Sequence, residues 1–189
     1  MPGSLRAFLD ASVLYPVSLR HLLMRLTLAQ LFQARWSATV HEEWIRAVLR
    51  HNPGVSMARL HDLRNAMDER AEDAVVTGYE DLVDTLTLPD PDDRHVLAAA
   101  IVGQAEVIVT RNLRDFPDAA LAPHKIEAQH PDEFIRRLLD FAPERVIDAV
   151  RKQQASLVNP PVAMSELLAL FERLGLAETV IELRRLIAA

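Results

Sequence analysis

The chain has 189 residues, half of them hydrophobic and a quarter charged, with no cysteine and a formal net charge of −6. That length fits one full domain, or one domain with a small appendage, and the lack of cysteine excludes disulfides and thiolate zinc sites. No apolar run approaches the ~20 residues of a membrane helix, and the start, MPGSLRAFLDAS, lacks the pattern of a signal peptide, which together point to the cytoplasm. A negative balance does not advertise a nucleic-acid binder, yet a metal-dependent nuclease concentrates acids in its site, where bound cations reverse the local field. The basic residues are nearly all arginine, the side chain suited to bidentate phosphate contact.

RAFLDAS is a short apolar run that reads as a buried first strand ending at Asp10. LRHLLMRLTLAQLF follows at helical spacing, with Leu19, Leu22, Leu23, Leu26 and Leu31 on the apolar side. SATVHEEWIRAVLR opens on two candidate caps, Ser37 and Thr39, and continues as an amphipathic helix. SMARLHDLRNAMDERAE gives another helix, and the mixed stretch from Ala74 to Leu88 gives a short strand or a loop with a helical turn. DDRHVLAAAIVG is a helix closed by Gly103, AEVIVT a buried strand, and HKIEA a second short one. Strands alternating with helices indicate an α/β domain with a mainly parallel sheet. From QHPDEF onward the chain is helical throughout, which suggests an α/β unit over residues 1–128 and a small helical unit over residues 129–189.

The acids DPDD before the alanine-rich helix do not all point one way. At 100° per residue, Asp93 shares a stripe with Val96, Leu97, Ala100 and Ile101, whereas Asp92 falls off it. Asp90 and Asp92 therefore serve the loop and helix start, and Asp93 faces inward. Likewise Glu43 shares a stripe with Val40, Trp44, Ala47 and Val48, with Glu42 nearly opposite. Asp10 ends the first strand, and TRNLRDF places Asn112 and Asp115 just past another strand end. In open α/β sheets that carboxyl edge binds ligands. Clustered carboxylates repel unless a cation neutralises them, and hard oxygen donors without cysteine suit Mg²⁺ or Mn²⁺. Each acid also has a plain structural reading: Asp10 bonding loop amides, Glu43 pairing with Arg46 or Arg50, Asp93 starting a helix, and Asp115 making a turn before Phe116 and Pro117. His95 lies off the Asp93 stripe and reads as structural or surface. His51 and His61 do not share a helix face, and no P-loop or dinucleotide fingerprint is present.

With FLDASVLYP, WSATVHEEWIRAVL and LPDPDDRHVLAAAIVGQAEVIVTRNLRDFP in this order, the chain resembles a PIN-domain ribonuclease over roughly Leu5 to Ala128. It is most similar to the toxin component of VapBC-type toxin–antitoxin pairs. The remainder resembles a helical C-terminal domain attached to one subgroup of such proteins. The resemblance implies a PIN-like α/β fold and Mg²⁺-dependent cleavage of RNA phosphodiester bonds, with Mn²⁺ as a substitute ion. It places the family's acids on Asp10, Glu43, Asp93 and Asp115. Asp10, Asp93 and Asp115 would hold the cation, directly or through water, and Glu43 would complete the cluster. Many members read T-x-D-x-D-F where this chain has Asn112 first and Asp115 second, which argues against a tightly held second metal. Thr110 and Asn112 would then act by hydrogen bonding, and Arg94, Arg111 and Arg114 could grip RNA phosphates. A cognate antitoxin and a homodimer are the implied protein partners. Rival readings are a PIN-like interaction module without catalysis and an RNA-processing PIN nuclease without an antitoxin. A phosphatase or receiver domain fits worse, since Asp10-Ala11-Ser12 is not D-x-D and Lys125 begins a strand rather than ending one.

Overall fold

The computed structural model describes residues 5–188. The chain runs β1 (Arg6–Leu9), α1 (Ala11–Leu14), α2 (Val17–Leu28), β2 (Gln33–Ser37), α3 (Ala38–His51), α4 (Met57–Arg70), β3 (Val75–Val76) and α5 (Glu80–Val83). It continues with α6 (Arg94–Val102), β4 (Val107–Val109), α7 (Asp118–Leu121), β5 (Glu127–Gln129), α8 (Pro131–Phe141), α9 (Pro143–Ser156), α10 (Met164–Arg173) and α11 (Ala177–Ala188). The five strands form one sheet in the order β3-β2-β1-β4-β5, and every pairing is parallel. The expected α/β fold is therefore present. The middle strands β1 and β4 are apolar without alternation (Phe8, Leu9, Val107, Ile108 and Val109 are fully buried), as a sheet covered on both faces requires.

The order places the functional end. From β1 the chain moves outward to β2 and β3, then crosses back to β4 and β5 on the other side. Connections thus leave β1 and β4 in opposite directions, which opens a crevice beyond their carboxyl ends. Asp10 follows β1 and Thr110 follows β4, both at that crevice.

Three features depart from the expectations. The strand QARWS was hidden between two helical patterns, because its buried members (Ala34, Trp36) continue the apolar run of the helix before it. That helix ends at Leu28, not Phe32, in a Schellman motif: Gln30 takes a left-handed φ of 54°, and Leu31 N–H reaches back to the Leu26 carbonyl at 3.1 Å. Leu31 is folded back into the core, so its helical phase survives without a helix. The alanine-rich helix stops the same way, but its left-handed residue is Gln104 (φ 52°), not Gly103. Gly103 answers a different need, since a Cβ there would lie 2.7 Å from Val76 Cγ2 and 3.0 Å from the Ala99 carbonyl oxygen.

The last four helices pack on one another, and α9 packs along α2. Asp132 joins α8 to α11 by accepting the amides of Glu178 and Thr179 at 3.0 and 2.8 Å, which caps the start of α11. Phe134 meets Phe32 edge-on with ring centres 4.9 Å apart, and Gln153 donates to the Ser18 carbonyl at 3.0 Å. The sheet runs to Gln129, one residue into the stretch that the sequence assigned to the helical unit. Leu19, Leu22, Leu23 and Leu26 of α2 are fully buried within the chain, so they offer no surface for the expected homodimer. No helix among the described residues is long and apolar enough to cross a membrane.

Candidate active site

Asp10 is the N-cap of α1 and is almost entirely buried. Its Oδ2 accepts from Ser12 Oγ at 2.6 Å and from Thr110 Oγ1 at 2.8 Å. Each hydroxyl in turn accepts a loop amide: Arg111 N–H on Ser12 Oγ at 3.0 Å and Asn112 N–H on Thr110 Oγ1 at 3.0 Å. Since a hydroxyl has one hydrogen, both donate to Asp10, and the loop after β4 is tied to the carboxylate through two relays. Burial pushes the Asp10 carboxyl up, the Ser12 and Thr110 hydrogen bonds pull it down, and the charge of Glu43 raises it; the net direction is upward. The amide-bonding reading of Asp10 holds in part, as Ser12 N–H also approaches Oδ2 at 3.4 Å. Ser12, two residues along, was missed as a site residue, although Asp-x-Ser at a helix start signals such a bond.

Asp93 sits half-buried where a 3-10 turn (Pro91–Asp93) passes into α6. The capping acid of that turn is Asp90, whose Oδ1 accepts Asp92 N–H at 2.9 Å. Asp92 is exposed and supplies that amide, so both acids serve the turn at the helix start, as expected. Burial, then the charges of Asp10, Asp115 and Asp90, push the Asp93 carboxyl up to about 7. The inward reading of Asp93 is thus realised, and its neighbours are other acids. Asp115 lies in the 3-10 turn Leu113–Asp115, half-buried and close enough to act on Asp93.

Glu43 and His95 come together: His95 Nε2 is 2.8 Å from Glu43 Oε1. The arginine pairing considered for Glu43 is not formed among the described residues, and of the two readings of His95, structural or surface, the surface one does not hold, since the ring is largely buried against Glu43. His95 lies off the Asp93 stripe, as read, and from there reaches Glu43 of α3 rather than the solvent. Burial opposes charge on His95, but the hydrogen bond to Glu43 and the charges of Glu43, Asp10 and Asp93 outweigh it and raise its pKa. Its Nδ1 is buried with no hydrogen-bond partner among the described residues.

A buried polar chain seats α3. Trp44 Nε1 donates to His41 Nδ1 at 2.9 Å, so His41 carries its proton on Nε2, which faces Asp68 Oδ1 at 3.0 Å. Trp36 Nε1 donates to the same Asp68 oxygen at 2.8 Å, and the Arg20 guanidinium lies 4.5 Å from the Trp44 ring centre.

Asp10, Glu43 and Asp93 open on one cleft of about 450 Å³, with Trp44, Arg111 and Asn112 also on its walls. Arg94 is engaged elsewhere, donating to the Pro91 carbonyl at 2.9 Å and facing Asp84 at 3.8 Å. Arg114, Thr110 and Asp115 do not line this cleft. Among the described residues, no three His, Asp or Glu side chains stand close enough together to hold a metal ion as they lie. The arrangement is therefore a cluster of repelling acids, partly compensated by His95.

A family model described as PIN domain matches residues 6–114, and one described as VapC50 C-terminal domain matches residues 131–185. The chain is 42% identical over 95 residues to a protein of Mycobacterium tuberculosis named "Putative ribonuclease VapC50"; the match covers 50% of this chain and 56% of that relative. No solved structure matches the chain. The chain belongs to the PIN-domain family, and its helices beyond that domain are similar to the domain described as VapC50 C-terminal domain.

Proposed function

We propose that the chain is a divalent-cation-dependent endoribonuclease and the toxin of a toxin–antitoxin pair, with residues 1–128 as the nuclease domain and residues 129–189 as a helical appendage. The observation that carries this reading is the pair Asp10 and Asp93 beyond the β1–β4 crevice, both pushed up by burial and by neighbouring acids. Acids that repel in a poorly solvated cleft are relieved by a cation, and an all-oxygen donor set without sulfur fits a hard ion such as Mg²⁺, with Mn²⁺ as substitute. Asp10 and Asp93 would hold the ion, with Asp115 and Glu43 reaching it through water. When bound, the cation lowers the pKa of an attacking water and offsets charge developing on the phosphate.

The chain's own residues do the rest. Ser12 and Thr110 occupy Oδ2 of Asp10, which would leave Oδ1 free to hold the ion at the cleft that Asp10 lines. His95 occupies Oε1 of Glu43, leaving Oε2 to orient an attacking water and accept its hydrogen. Asn112 replaces a carboxylate and contributes its backbone amide to Thr110, which keeps the acidic charge low enough for a single ion. Arg111 stands at the cleft to receive a phosphate oxygen. A cognate antitoxin would cover the cleft, and an arginine reaching the carboxylates would stand in for the cation's charge.

The test is cleavage of a panel of structured RNAs with Mg²⁺, with Mn²⁺ and with EDTA, beside Asp10→Asn. Cleavage that needs the ion and vanishes in the variant is the expected result. A folded protein that cuts nothing and binds no Mn²⁺ would instead support a PIN-like module that only binds a partner.

A further inference from the structure

Asp68 stands in the last turn of α4, a helix that buries only Leu60 and Met67 of its own, and it does not line the cleft. Its Oδ1 nevertheless takes two donors from other elements, Trp36 Nε1 of β2 at 2.8 Å and His41 Nε2 of α3 at 3.0 Å. A carboxylate oxygen has two lone pairs, so that one atom serves both. By accepting from Nε2, Asp68 fixes the tautomer of a ring that is only 1% exposed, and only that tautomer leaves Nδ1 to accept Trp44 Nε1 at 2.9 Å. With the hydrogen on Nδ1, two buried N–H groups would face each other. Both tryptophans of the protein thus end on this relay.

His41 and Trp44 lie one turn apart on α3 and bracket Glu43 in sequence, so what grips them sets the rotation of the helix that presents Glu43. The other ties of α3, Thr39 Oγ1 to Tyr79 OH at 2.8 Å and Val40 N–H to Ser37 Oγ at 3.2 Å, hold its first turn. Glu43 needs the rotation fixed, because its Oε1 meets His95 Nε2 of α6 at 2.8 Å. Turning α3 by about 10° would carry the carboxylate about 1 Å, enough to break that bond and misplace Oε2. We propose that Asp68 is a positioning residue for the cleavage reaction: through the His41 tautomer and Trp44 it fixes the rotation of α3 and so the place of Glu43. The role needs the acceptor oxygen and not the charge, since one Oδ1 satisfies both donors. The kinetic consequence rests on the nuclease reading, whereas the relay itself is a matter of how α4 is fastened to α3.

The test compares full-length Asp68→Ala, Asp68→Asn, Glu43→Gln and the double variant Asp68→Ala/Glu43→Gln on an RNA of the panel that the wild type cuts. Asp68→Ala should lower kcat about tenfold with KM changed by less than about twofold. Asp68→Asn, which keeps a carbonyl oxygen for both donors, should restore kcat. In the Glu43→Gln background Asp68→Ala should cost nothing further, because it acts through Glu43; a general loosening of the fold would add its own loss. Should Asp68→Ala not fold, His41→Phe, which keeps a ring without nitrogens, should show the same fall in kcat and the same silence beside Glu43→Gln. One readout needs no activity: in proton–nitrogen NMR spectra the Trp44 indole N–H, which Asp68 does not touch, should shift in Asp68→Ala and return in Asp68→Asn. Unchanged kcat in Asp68→Ala, a loss that adds to that of Glu43→Gln, or Asp68→Asn as impaired as Asp68→Ala would overturn the proposal. The two readings fail separately: a wild type that cuts no RNA sinks the nuclease, and a Trp44 signal indifferent to Asp68→Ala sinks the relay.

Discussion

Replacing Asp93 by Asn removes the charge that the cleft tolerates least. Asp93 titrates near the ordinary carboxylate range of 3.8 in the unfolded chain and at about 7 in the folded one. Below pH 4 both states hold the proton; between pH 4 and 7 the unfolded chain releases it and the folded one keeps it. The acid therefore withdraws stability as pH rises through that window, and the loss is complete above 7. Taken at face value the displacement corresponds to about 4 kcal/mol. Asp93 is only half-buried, so solvent screening reduces it to about 1–2 kcal/mol. For a chain of this size each kcal/mol moves the melting temperature by about 2–4 °C. In EDTA, the wild type should thus lose about 2–8 °C relative to Asp93→Asn between pH 4.5 and 7.5. At pH 7.5, Mg²⁺ at ten times its dissociation constant should return about 1.4 kcal/mol to the wild type and little to the variant. Melting curves followed by circular dichroism read both effects. Parallel pH dependence of the two proteins would refute the reasoning, since it would mean that Asp93 is solvated like any surface acid.

Ser12→Ala removes a hydrogen bond that lowers the Asp10 carboxyl, so the acid limb of the cleavage–pH profile should move to higher pH, with kcat reduced and the melting temperature lowered by less than about 5 °C; an unmoved limb would detach Ser12 from Asp10. His95→Ala and Glu43→Gln should each reduce RNA cleavage by about 10²-fold, and the double variant should be no worse than either alone, because the two act as a unit; additive losses would separate them. Phe134→Ala, at the edge-on contact with Phe32, should cost about 3–5 kcal/mol, read by denaturant unfolding, with the helical unit giving way first in hydrogen exchange.

How far the sequence was legible depends on which residues carry their own signal. Val107 to Val109 read as a buried strand because a parallel sheet covered on both faces leaves no alternation to misread, and Val40, Trp44 and Val48 read as a helix stripe because their period is 3.6. The inward turn of Glu43 and Asp93 followed from the same periods. β2 was lost because Leu31 and Phe32 hold helical phase through a Schellman turn whose left-handed residue is Gln30; a glycine there would have announced the break, a glutamine does not. His95 was read as structural or surface because a stripe says only that it lies off the Asp93 face, not what stands opposite it. Its pairing with Glu43 spans 52 residues of sequence, and only the packing of α6 and α3 beside the sheet creates it. Thr110 was read as a hydrogen-bonding residue from the resemblance alone, since its hold on Asp10 exists only once β1 and β4 are neighbours; Ser12 was missed although its bond to Asp10 is local.

The account turns on whether the acids hold a cation, and titration of Mn²⁺ into metal-free protein, followed by calorimetry at pH 7.5, tests that directly. The wild type should bind a single ion, with heat that is lost in Asp10→Asn and in Asp93→Asn while both variants remain folded. Equal binding by wild type and variants, or no binding by the wild type, would contradict it.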